Sequence, residues 1–251
     1  MSGIMHQVGF ADKPPSWTIY GMADVYTGMV TAYGVMQALY MRTQTGRGQF
    51  VDSAMFDNML SLNEAMVPLY SIAGQSPSRG ALKNLFPRGA FECKDGYIAL
   101  NVPDNIIWKR LCEAMGRHDL VDDERSKGGT ERATNAAFLQ PIIETWLASL
   151  TRDQAVDTLN KIGVPVGPVN TAEDIFADPH VRARGLLMDI KDPAVGTHTF
   201  ARSPVFLSEA PNLPKEAPPE LGQHTKHVLR DLGYDDEKIQ ELVAGDVVGL
   251  A

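Results

Sequence analysis

Asp24 is the residue of this sequence best placed for chemistry, within the stretch GMADVYTG at residues 21–28. An apolar segment begins here and runs to Arg42, so the carboxylate stands where a helix should begin. That position favours an N-cap, whose side chain accepts backbone N–H bonds. A nucleophile is the other interpretation, because a helix N-terminus keeps a carboxylate ionised and its free N–H groups can stabilise a nearby oxyanion. The two roles are compatible.

The surroundings of Asp24 bear on its reactivity. A carboxylate in an apolar, glycine-lined site is poorly hydrated, which makes it more reactive toward a thioester carbonyl. Gly28 and Gly34 each cost about 1 kcal/mol relative to alanine in a helix interior, so we expect a ligand or a backbone to approach them closely. The nucleophile interpretation requires Asp24 to line a cavity rather than to point into bulk water.

Other polar residues give weaker signals. Arg47 and Gln49 in TGRGQ either hold the turn after the helix or contact a substrate. Lys94-Asp95-Gly96 is better explained by hairpin geometry than by chemistry. His224 and His227 stand three residues apart, but no acidic or cysteine partner nearby completes a metal site, so we predict solvated or capping histidines and no metal.

The elements that would position Asp24 follow from periodicity. The apolar residues of 24–42 recur at helical spacing and cover more than half the circumference, which predicts a helix buried on most sides, by a sheet or by a partner. A short strand in QFVDSAMF and a second helix over MFDNMLSLNEAMVPLYSI are expected next, followed by a crossing segment at residues 71–90.

A second region begins with a hairpin, predicted from FECKDGYIAL with its turn at Asp95-Gly96. Three helices are expected after it: one capped by Asp104, one over ERATNAAFLQPIIETWLASL, and one opened by a Thr151/Gln154 capping box. Predicted elements then alternate: a strand in VPVGPVN, a short helix in TAEDIFADPHVRARG, a strand in LLMDIKDP, a proline-rich extended stretch and two terminal helices.

Composition excludes several classes of function. The formal charge of -8 and the scattered lysines and arginines leave no basic face for nucleic acid. The two cysteines, Cys93 and Cys112, form no CxxC pair, which fits a reducing cytoplasm. No apolar run approaches the roughly 20 residues of a membrane span, and the N-terminus does not resemble a signal peptide. A cytoplasmic protein without membrane or nucleic-acid partners is predicted.

The segment GMADVYTGMVTAYGVMQALYMRTQTGRGQFVDSAMFDNML resembles the central signature of the family III CoA-transferases, which also include alpha-methylacyl-CoA racemases. The resemblance continues through FECKDGYIAL, GVPVGPV, DPHVRARG and APPELGQHTKHVLRDLGY, and so covers essentially the whole chain. It implies an α/β fold: the remainder of a large Rossmann-like domain plus a small α+β domain, joined by extended linkers. The limits expected are 1–70 for the large-domain part with the active-site helix, 71–90 for a linker, 91–185 for the small domain, and 186–251 for a return linker and C-terminal helices packing on the large domain.

The resemblance assigns Asp24 to the family's catalytic aspartate. In the transferases this residue attacks an acyl-CoA thioester and passes CoA to an acceptor acid through a mixed anhydride and an aspartyl-CoA thioester. Gly28, Arg47 and Gln49 become candidate CoA-binding residues, with the CoA thioester as a substrate and no bound cofactor. In the racemases the aspartate exchanges an α-proton opposite an upstream histidine. His6 is too close to Asp24 in sequence to match it, and we interpret it as a loop histidine.

Three hypotheses follow: an acyl-CoA transferase, an acyl-CoA racemase, and a non-catalytic fragment or split subunit. The third arises because the N-terminal segment of the family, with much of its nucleotide site, precedes the point where this chain starts. The resemblance implies an interlinked homodimer, and a separate N-terminal chain is the alternative partner. ALKNLFPRGA contains one internal glycine, which argues against the glycine-rich loop of formyl and oxalyl transferases.

Overall fold

A computed structural model of the chain describes residues 1–251 apart from 11, 65, 78, 80–84, 194 and 210–215. The chain divides into two compact units, Met1–Val169 and Asn170–Ala251. This division falls elsewhere than the limits expected at residues 70, 90 and 185, which stay predictions. The expectation for the loop ALKNLFPRGA lies largely outside the described residues, as does part of the proline-rich stretch.

The first unit contains helices before and after a small sheet. Its α-helices, in chain order, are α1 (Ile4–Gln7), α2 (Met22–Thr45), α3 (Met55–Ser61), α4 (Met66–Ala73), α5 (Asn105–Ala114), α6 (Gly129–Thr134), α7 (Ala136–Leu147) and α8 (Arg152–Lys161). Its strands are β1 (Arg88–Cys93), β2 (Gly96–Asn101) and β3 (Val166–Pro168), which pair antiparallel in the order β1-β2-β3.

The hairpin of β1 and β2 is confirmed, but its predicted turn is one residue off. Cys93 pairs with Gly96, so Lys94 and Asp95 form the two-residue turn. The turn also holds a helix, because the Asp95 carboxylate accepts a 2.7 Å bond from the Arg152 amide at the start of α8. These residues therefore have a structural role.

The core of the first unit lies between the sheet and the later helices. One face of the hairpin buries Phe91, Cys93, Ile98 and Leu100, as the period of two requires. Against it pack side chains three to four residues apart on the helices: Trp108, Leu111 and Cys112 of α5, Leu139, Ile143 and Leu147 of α7, and Ala155 and Leu159 of α8. Two predicted helix starts are confirmed: Asp104 accepts from the Ile107 amide at 2.8 Å, and Thr151 and Gln154 form the capping box.

Arg132 is a fully buried cation within this unit, 1% exposed. Its guanidinium donates to the carbonyl of Phe86 at 3.1 Å, to the Asn105 side chain at 2.9 Å and to the carbonyl of Ser126 at 3.1 Å. Its Cζ atom lies 5.3 Å from the centroid of the Trp108 ring. Arg132 thus joins the segment before β1, the start of α5 and the loop before α6.

Several predicted elements are corrected. Residues 49–54 are extended but unpaired, because the described residues provide no strand beside them. The predicted second helix is divided into α3 and α4 around Asn63, whose buried side chain bonds to the Ser2 carbonyl and accepts from Gln7 at 2.5 Å. ERATNAAFLQPIIETWLASL likewise contains two helices, α6 and α7, and Pro141 lies inside α7.

The described chain does not by itself bury α2, and burial of the helix by a partner stays a prediction. Val25, Met29, Tyr33, Met36 and Tyr40 follow one another at helical spacing, and each is between 62 and 68% exposed. Among the described residues, α3 and the extended segment before it cover one side of α2, and nothing covers this stripe. The helix is apolar, as predicted, but the described part of the chain does not supply a surface that covers it.

The second unit has short elements: α9 (Ala172–Ala177), α10 (Pro179–Ala183), β4 (Leu187–Asp192), β5 (Gly196–Ala201), α11 (Thr225–Asp231) and α12 (Asp236–Ala244). The strand in LLMDIKDP and the terminal helices are confirmed, whereas TAEDIFADPHVRARG contains two helices rather than one. β5 was not predicted; it pairs antiparallel with β4 and is exposed along its whole length. Nowhere in the described ranges is a helix long and apolar enough to cross a membrane. A cytoplasmic location stays a prediction.

Both cysteines are free and buried, Cys93 at the end of β1 and Cys112 in α5. Burial raises the pKa of the Cys112 thiol to about 12, even though the Arg132 cation acts in the opposite direction. Burial likewise raises the pKa of Cys93, with a smaller contribution from Asp95. Burial and a raised pKa both disfavour the thiolate, so neither thiol is a candidate nucleophile.

The ion pair of Asp123 with Arg125 gives a testable pH dependence. Side-chain and backbone hydrogen bonds from Arg125 lower the pKa of Asp123 to about 2. An unfolded aspartate titrates at about 3.9, so the pair's stabilisation is present above about pH 4 and is lost as the pH falls toward 2. In a carboxyl NMR titration we expect Arg125→Gln to return the pKa of Asp123 toward its ordinary value. Asp236, whose pKa is lowered by its hydrogen bond from Arg230, is the control and should not respond. An Asp123 pKa unchanged in the variant would contradict the assignment.

Candidate functional site

Asp24 lies in the first turn of α2, but it is not the cap. The N-cap is Gly21, which has the left-handed conformation (φ 72°) that glycine adopts without steric cost, and no side chain caps the helix. The chain reaches the helix through a turn in which the Met22 amide donates to the Ile19 carbonyl at 3.3 Å. The N-cap prediction for Asp24 is therefore wrong, since Gly21, three residues before it, already takes the N-cap position.

The first turn of α2 leaves backbone donors available. The earliest bond of the helix runs from the Val25 amide to the Gly21 carbonyl at 2.9 Å. No acceptor among the described residues is bonded to the amides of Ala23 and Asp24. The carboxylate of Asp24 thus stands beside two unpaired N–H groups at the positive end of a 24-residue helix.

Asp24 is exposed in this chain, so the requirement that it line a cavity is not met by the described residues alone. Two cavities, of about 360 and 400 Å³, are lined by residues between 219 and 229 and by residues around Trp146, and Asp24 lines neither of them. Asp24 is exposed for the same reason as the apolar stripe: no described element of the chain covers that part of α2. A closed site here needs a wall from beyond the described residues.

A polar network fixes α2 against α3, and sequence reasoning missed it. Thr31 donates to the hydroxyl of Ser53 at 2.7 Å, and the buried Asn58 side chain donates to the same oxygen at 2.9 Å. Closer to Asp24, the hydroxyl oxygen of Thr27 is buried with no hydrogen-bond partner in the described chain. Thr27 follows Asp24 by three residues, so the two lie on neighbouring positions of one helix face.

The glycines of α2 differ in their surroundings. A Cβ atom at Gly34 would lie 3.4 Å from Val51 Cγ1, so the contact there is made by a side chain of the segment before α3 rather than by the backbone or ligand expected. A Cβ atom added at Gly28 would meet no atom of another part of the described chain within 4 Å. The close approach predicted at Gly28 is thus not made by this chain, and its role toward a ligand stays a prediction.

Arg47 and Gln49 lie beyond the other end of α2. The helix ends at Gly46 in the left-handed conformation (φ 70°), and the Thr45 hydroxyl accepts from the Arg47 amide at 3.3 Å. Both predicted residues are exposed. A helix of this length is about 36 Å long, so the structure does not bring Arg47 and Gln49 together with Asp24 within one chain.

The family model for CoA-transferase family III matches residues 1–225. The chain belongs to CoA-transferase family III. Its relatives include a succinyl-CoA:mesaconate CoA-transferase of Haloarcula hispanica, 36% identical over 93% of this chain and 59% of that protein. A succinyl-CoA:glutarate CoA-transferase of Homo sapiens is 30% identical over 99% of this chain and 57% of that protein.

The fold of this family III chain is similar to a solved structure. The crystal structure of a CAIB/BAIF family protein from Brucella suis superposes with a TM-score of 0.78 and 32% identity. The match covers 92% of this chain and 60% of that protein. An α/β fold of this type is therefore shown, and the chain spans about three-fifths of the length of the relatives it matches.

Three histidines of this family III chain were weighed as site residues, and they belong to two short helices, α1 and α11. His6 is exposed on α1 rather than in a loop. His224 takes the N-cap position of α11 without a side-chain cap bond, and His227 Nε2 lies 3.4 Å from an Asp231 oxygen. Within the described ranges, no three His, Cys, Asp or Glu side chains cluster as metal ligands would.

Proposed function

We propose that the protein transfers CoA from an acyl-CoA to a carboxylic acid, with Asp24 as the nucleophile. The observation that supports this most directly is the exposed carboxylate beside the unpaired amides of Ala23 and Asp24, in a family III chain. A carboxylate that caps nothing is available for another role, and a helix N-terminus favours its ionised form.

The first step forms an anhydride. A carboxylate oxygen of Asp24 attacks the thioester carbonyl carbon, the C–S bond breaks, and CoA leaves as a thiolate. The product is a mixed anhydride between Asp24 and the donor acid. The amides of Ala23 and Asp24 are donors for the oxyanion that develops at the attacked carbonyl, and one such donor is typically worth a factor of about 10²–10³ in rate.

The remaining steps return Asp24 to its starting state. The CoA thiolate attacks the aspartyl carbonyl of the anhydride and releases the donor as a carboxylate, which leaves an aspartyl-CoA thioester. The acceptor carboxylate then attacks this thioester, and the released thiolate attacks the acceptor carbonyl of the new anhydride. The products are the acceptor acyl-CoA and free Asp24, with no net gain or loss of protons or electrons.

We propose succinyl-CoA as the donor and a dicarboxylic acid as the acceptor. The relatives named above are transferases of succinyl-CoA whose acceptors, mesaconate and glutarate, are both dicarboxylic acids. CoA would enter as a substrate rather than as a bound cofactor, and Gly28, Arg47 and Gln49 remain the candidates for contacting it. None of these three is bonded to the side chain of Asp24 in the chain as described.

We propose a homodimer as the active assembly. The exposed apolar stripe of α2, from Val25 to Tyr40, is the kind of surface that marks a protein interface. A second copy that covers this stripe would also supply a wall for the open side of Asp24. Sedimentation of the purified protein at twice the mass of its chain is expected, and a monomer at micromolar concentration would contradict the assembly.

Trapping the intermediate tests the nucleophile. The protein is mixed with succinyl-CoA, quenched with hydroxylamine and digested, and we expect a hydroxamate on Asp24 in the peptide that contains α2. Asp57, an exposed carboxylate in the first turn of α3, is the matched control and should stay unmodified. Turnover with an unmodified Asp24 would refute the mechanism. Exchange of the substrate α-proton with deuterated solvent, without an acceptor acid, would instead support the racemase.

A further inference from the structure

Two arginines of the second unit lie against one aromatic ring. Arg184 follows α10 and Arg202 follows β5, and their Cζ atoms lie 4.8 and 4.3 Å from the centroid of the Phe206 ring. The ring itself is 39% exposed. Guanidinium groups stack on aromatic faces, which restricts their orientation while their N–H edges stay available.

The backbone around the ring fixes this arrangement. The Arg202 amide donates to the Leu186 carbonyl at 2.7 Å, which joins the end of β5 to the turn after α10. Gly185 in that turn has φ +57°, and a Cβ atom there would lie 3.9 Å from Arg202 Nη1. The motif DPHVRARG thus ends in a turn that places Arg184 and Arg202 at the same ring.

Neither guanidinium is neutralised by this chain. Every aspartate and glutamate of the sequence is among the described residues, yet none of them pairs with Arg184 or Arg202. The ion pairs described in this unit involve Lys226, His227, Arg230 and Lys238 instead. In addition, the Nε atom of Arg202 is buried without an acceptor in the described chain.

Two like charges held at one ring repel each other, and the repulsion falls when an anion binds between or beside them. Guanidinium edges match the oxygen spacing of carboxylates and phosphates, with bidentate and charge-assisted hydrogen bonds. Arg182 differs from these two arginines, because its guanidinium already has an acceptor within the chain. Two of its nitrogens donate to the Phe176 carbonyl at 3.3 Å.

We propose that Arg184 and Arg202, held by Phe206, form a binding site for a phosphate or carboxylate oxyanion. The site does not involve Asp24 and does not depend on the proposed transfer reaction. Its ligand chemistry is that of an oxyanion whose oxygens accept from two guanidinium groups.

Calorimetric titration of the full chain with inorganic phosphate, at an ionic strength held constant with potassium chloride, tests the site. We expect saturable binding that weakens about tenfold or more in Arg184→Gln and in Arg202→Gln, as the loss of a charge-assisted hydrogen bond predicts. Phe206→Leu removes the stacking surface and should also weaken binding. Arg182→Gln is the matched control, with phosphate binding unchanged. A parallel titration with succinate distinguishes a carboxylate ligand from a phosphate ligand.

The proposal is overturned by the absence of saturable binding of either anion, and equally by binding that all four variants retain. Should Arg202→Gln fail to fold, because its side chain is partly buried, the exposed Arg184 decides the question. An equal loss in Arg182→Gln and Arg184→Gln would show a general charge effect and would also reject the site.

Discussion

Asp24→Ala is expected to lower kcat for CoA transfer by about 10⁴-fold or more, the range found when a covalent nucleophile is removed. Asp24→Asn should lose as much, since it keeps the shape of the side chain but not the anionic oxygen that attacks the thioester. KM for the acyl-CoA should change little in both variants, because the lost interaction is made in the reaction and not in binding. Steady-state kinetics with succinyl-CoA and a dicarboxylic acid measure both constants.

Stability separates this role from that of a helix cap. A capping aspartate contributes roughly 0.5–2 kcal/mol, whereas Asp24 accepts no cap bond and should contribute at most the roughly 0.3–1 kcal/mol of a first-turn carboxylate. Urea unfolding of Asp24→Ala should therefore show a small change beside the large kinetic one. Asp57→Asn, at the corresponding place in α3, is the control with normal turnover. An Asp24→Ala protein with wild-type kcat would end the assignment.

Arg132→Met is expected to destabilise the first unit by about 3 kcal/mol. Methionine keeps much of the length of the side chain but removes every donor, so the oxygens of Phe86, Asn105 and Ser126 lose their partner. Leaving a buried acceptor unsatisfied costs about 1–3 kcal/mol, and the first two oxygens recover part of this from water. The free energy of unfolding in urea, at constant slope, measures the change.

Arg117→Met is the matched control for Arg132→Met. Arg117 makes a bidentate pair with Asp119 at 2.7 and 2.8 Å, but the pair is solvent-exposed. Exposed pairs contribute about 0–1 kcal/mol, so this variant should unfold almost as the wild type does. Arg132→Lys should fall between the two, because an ammonium group carries the charge without the planar fork. Equal losses in Arg117→Met and Arg132→Met would refute the role given to burial.

Local signals in the sequence predicted much of the first unit. The cap at Asp104, the capping box at Thr151 and the β1-β2 hairpin each depend on residues within a few positions of one another, and each is confirmed. The break between α3 and α4 was not predicted, because the side chain of Asn63 at the break bonds to Ser2, 61 residues away in the sequence. The strand β5 was not predicted, because its sequence GTHTFA is exposed throughout and shows no alternation of apolar and polar residues.

The sequence singled out Asp24 as a candidate nucleophile, which stays a prediction, but it did not predict how the helix positions this residue. The type and neighbourhood of Asp24 indicated a reactive carboxylate, while its place in the helix depended on Gly21 adopting a left-handed conformation that spacing does not reveal. Arg184 and Arg202 come from segments that meet only in the folded chain, so their shared ring could not be inferred from periodicity. The separation of Arg47 and Gln49 from Asp24 follows from helix length, which the sequence did contain.

The two buried cysteines allow opening of the core to be measured by chemical labelling. Because the pKa of Cys112 is raised to about 12 and that of Cys93 is raised as well, thiolate is scarce while the core is closed. An alkylating reagent such as iodoacetamide would therefore modify these cysteines chiefly during transient openings. Their labelling rates, followed by mass spectrometry, would measure how often the sheet-and-helix core opens, with no added probe.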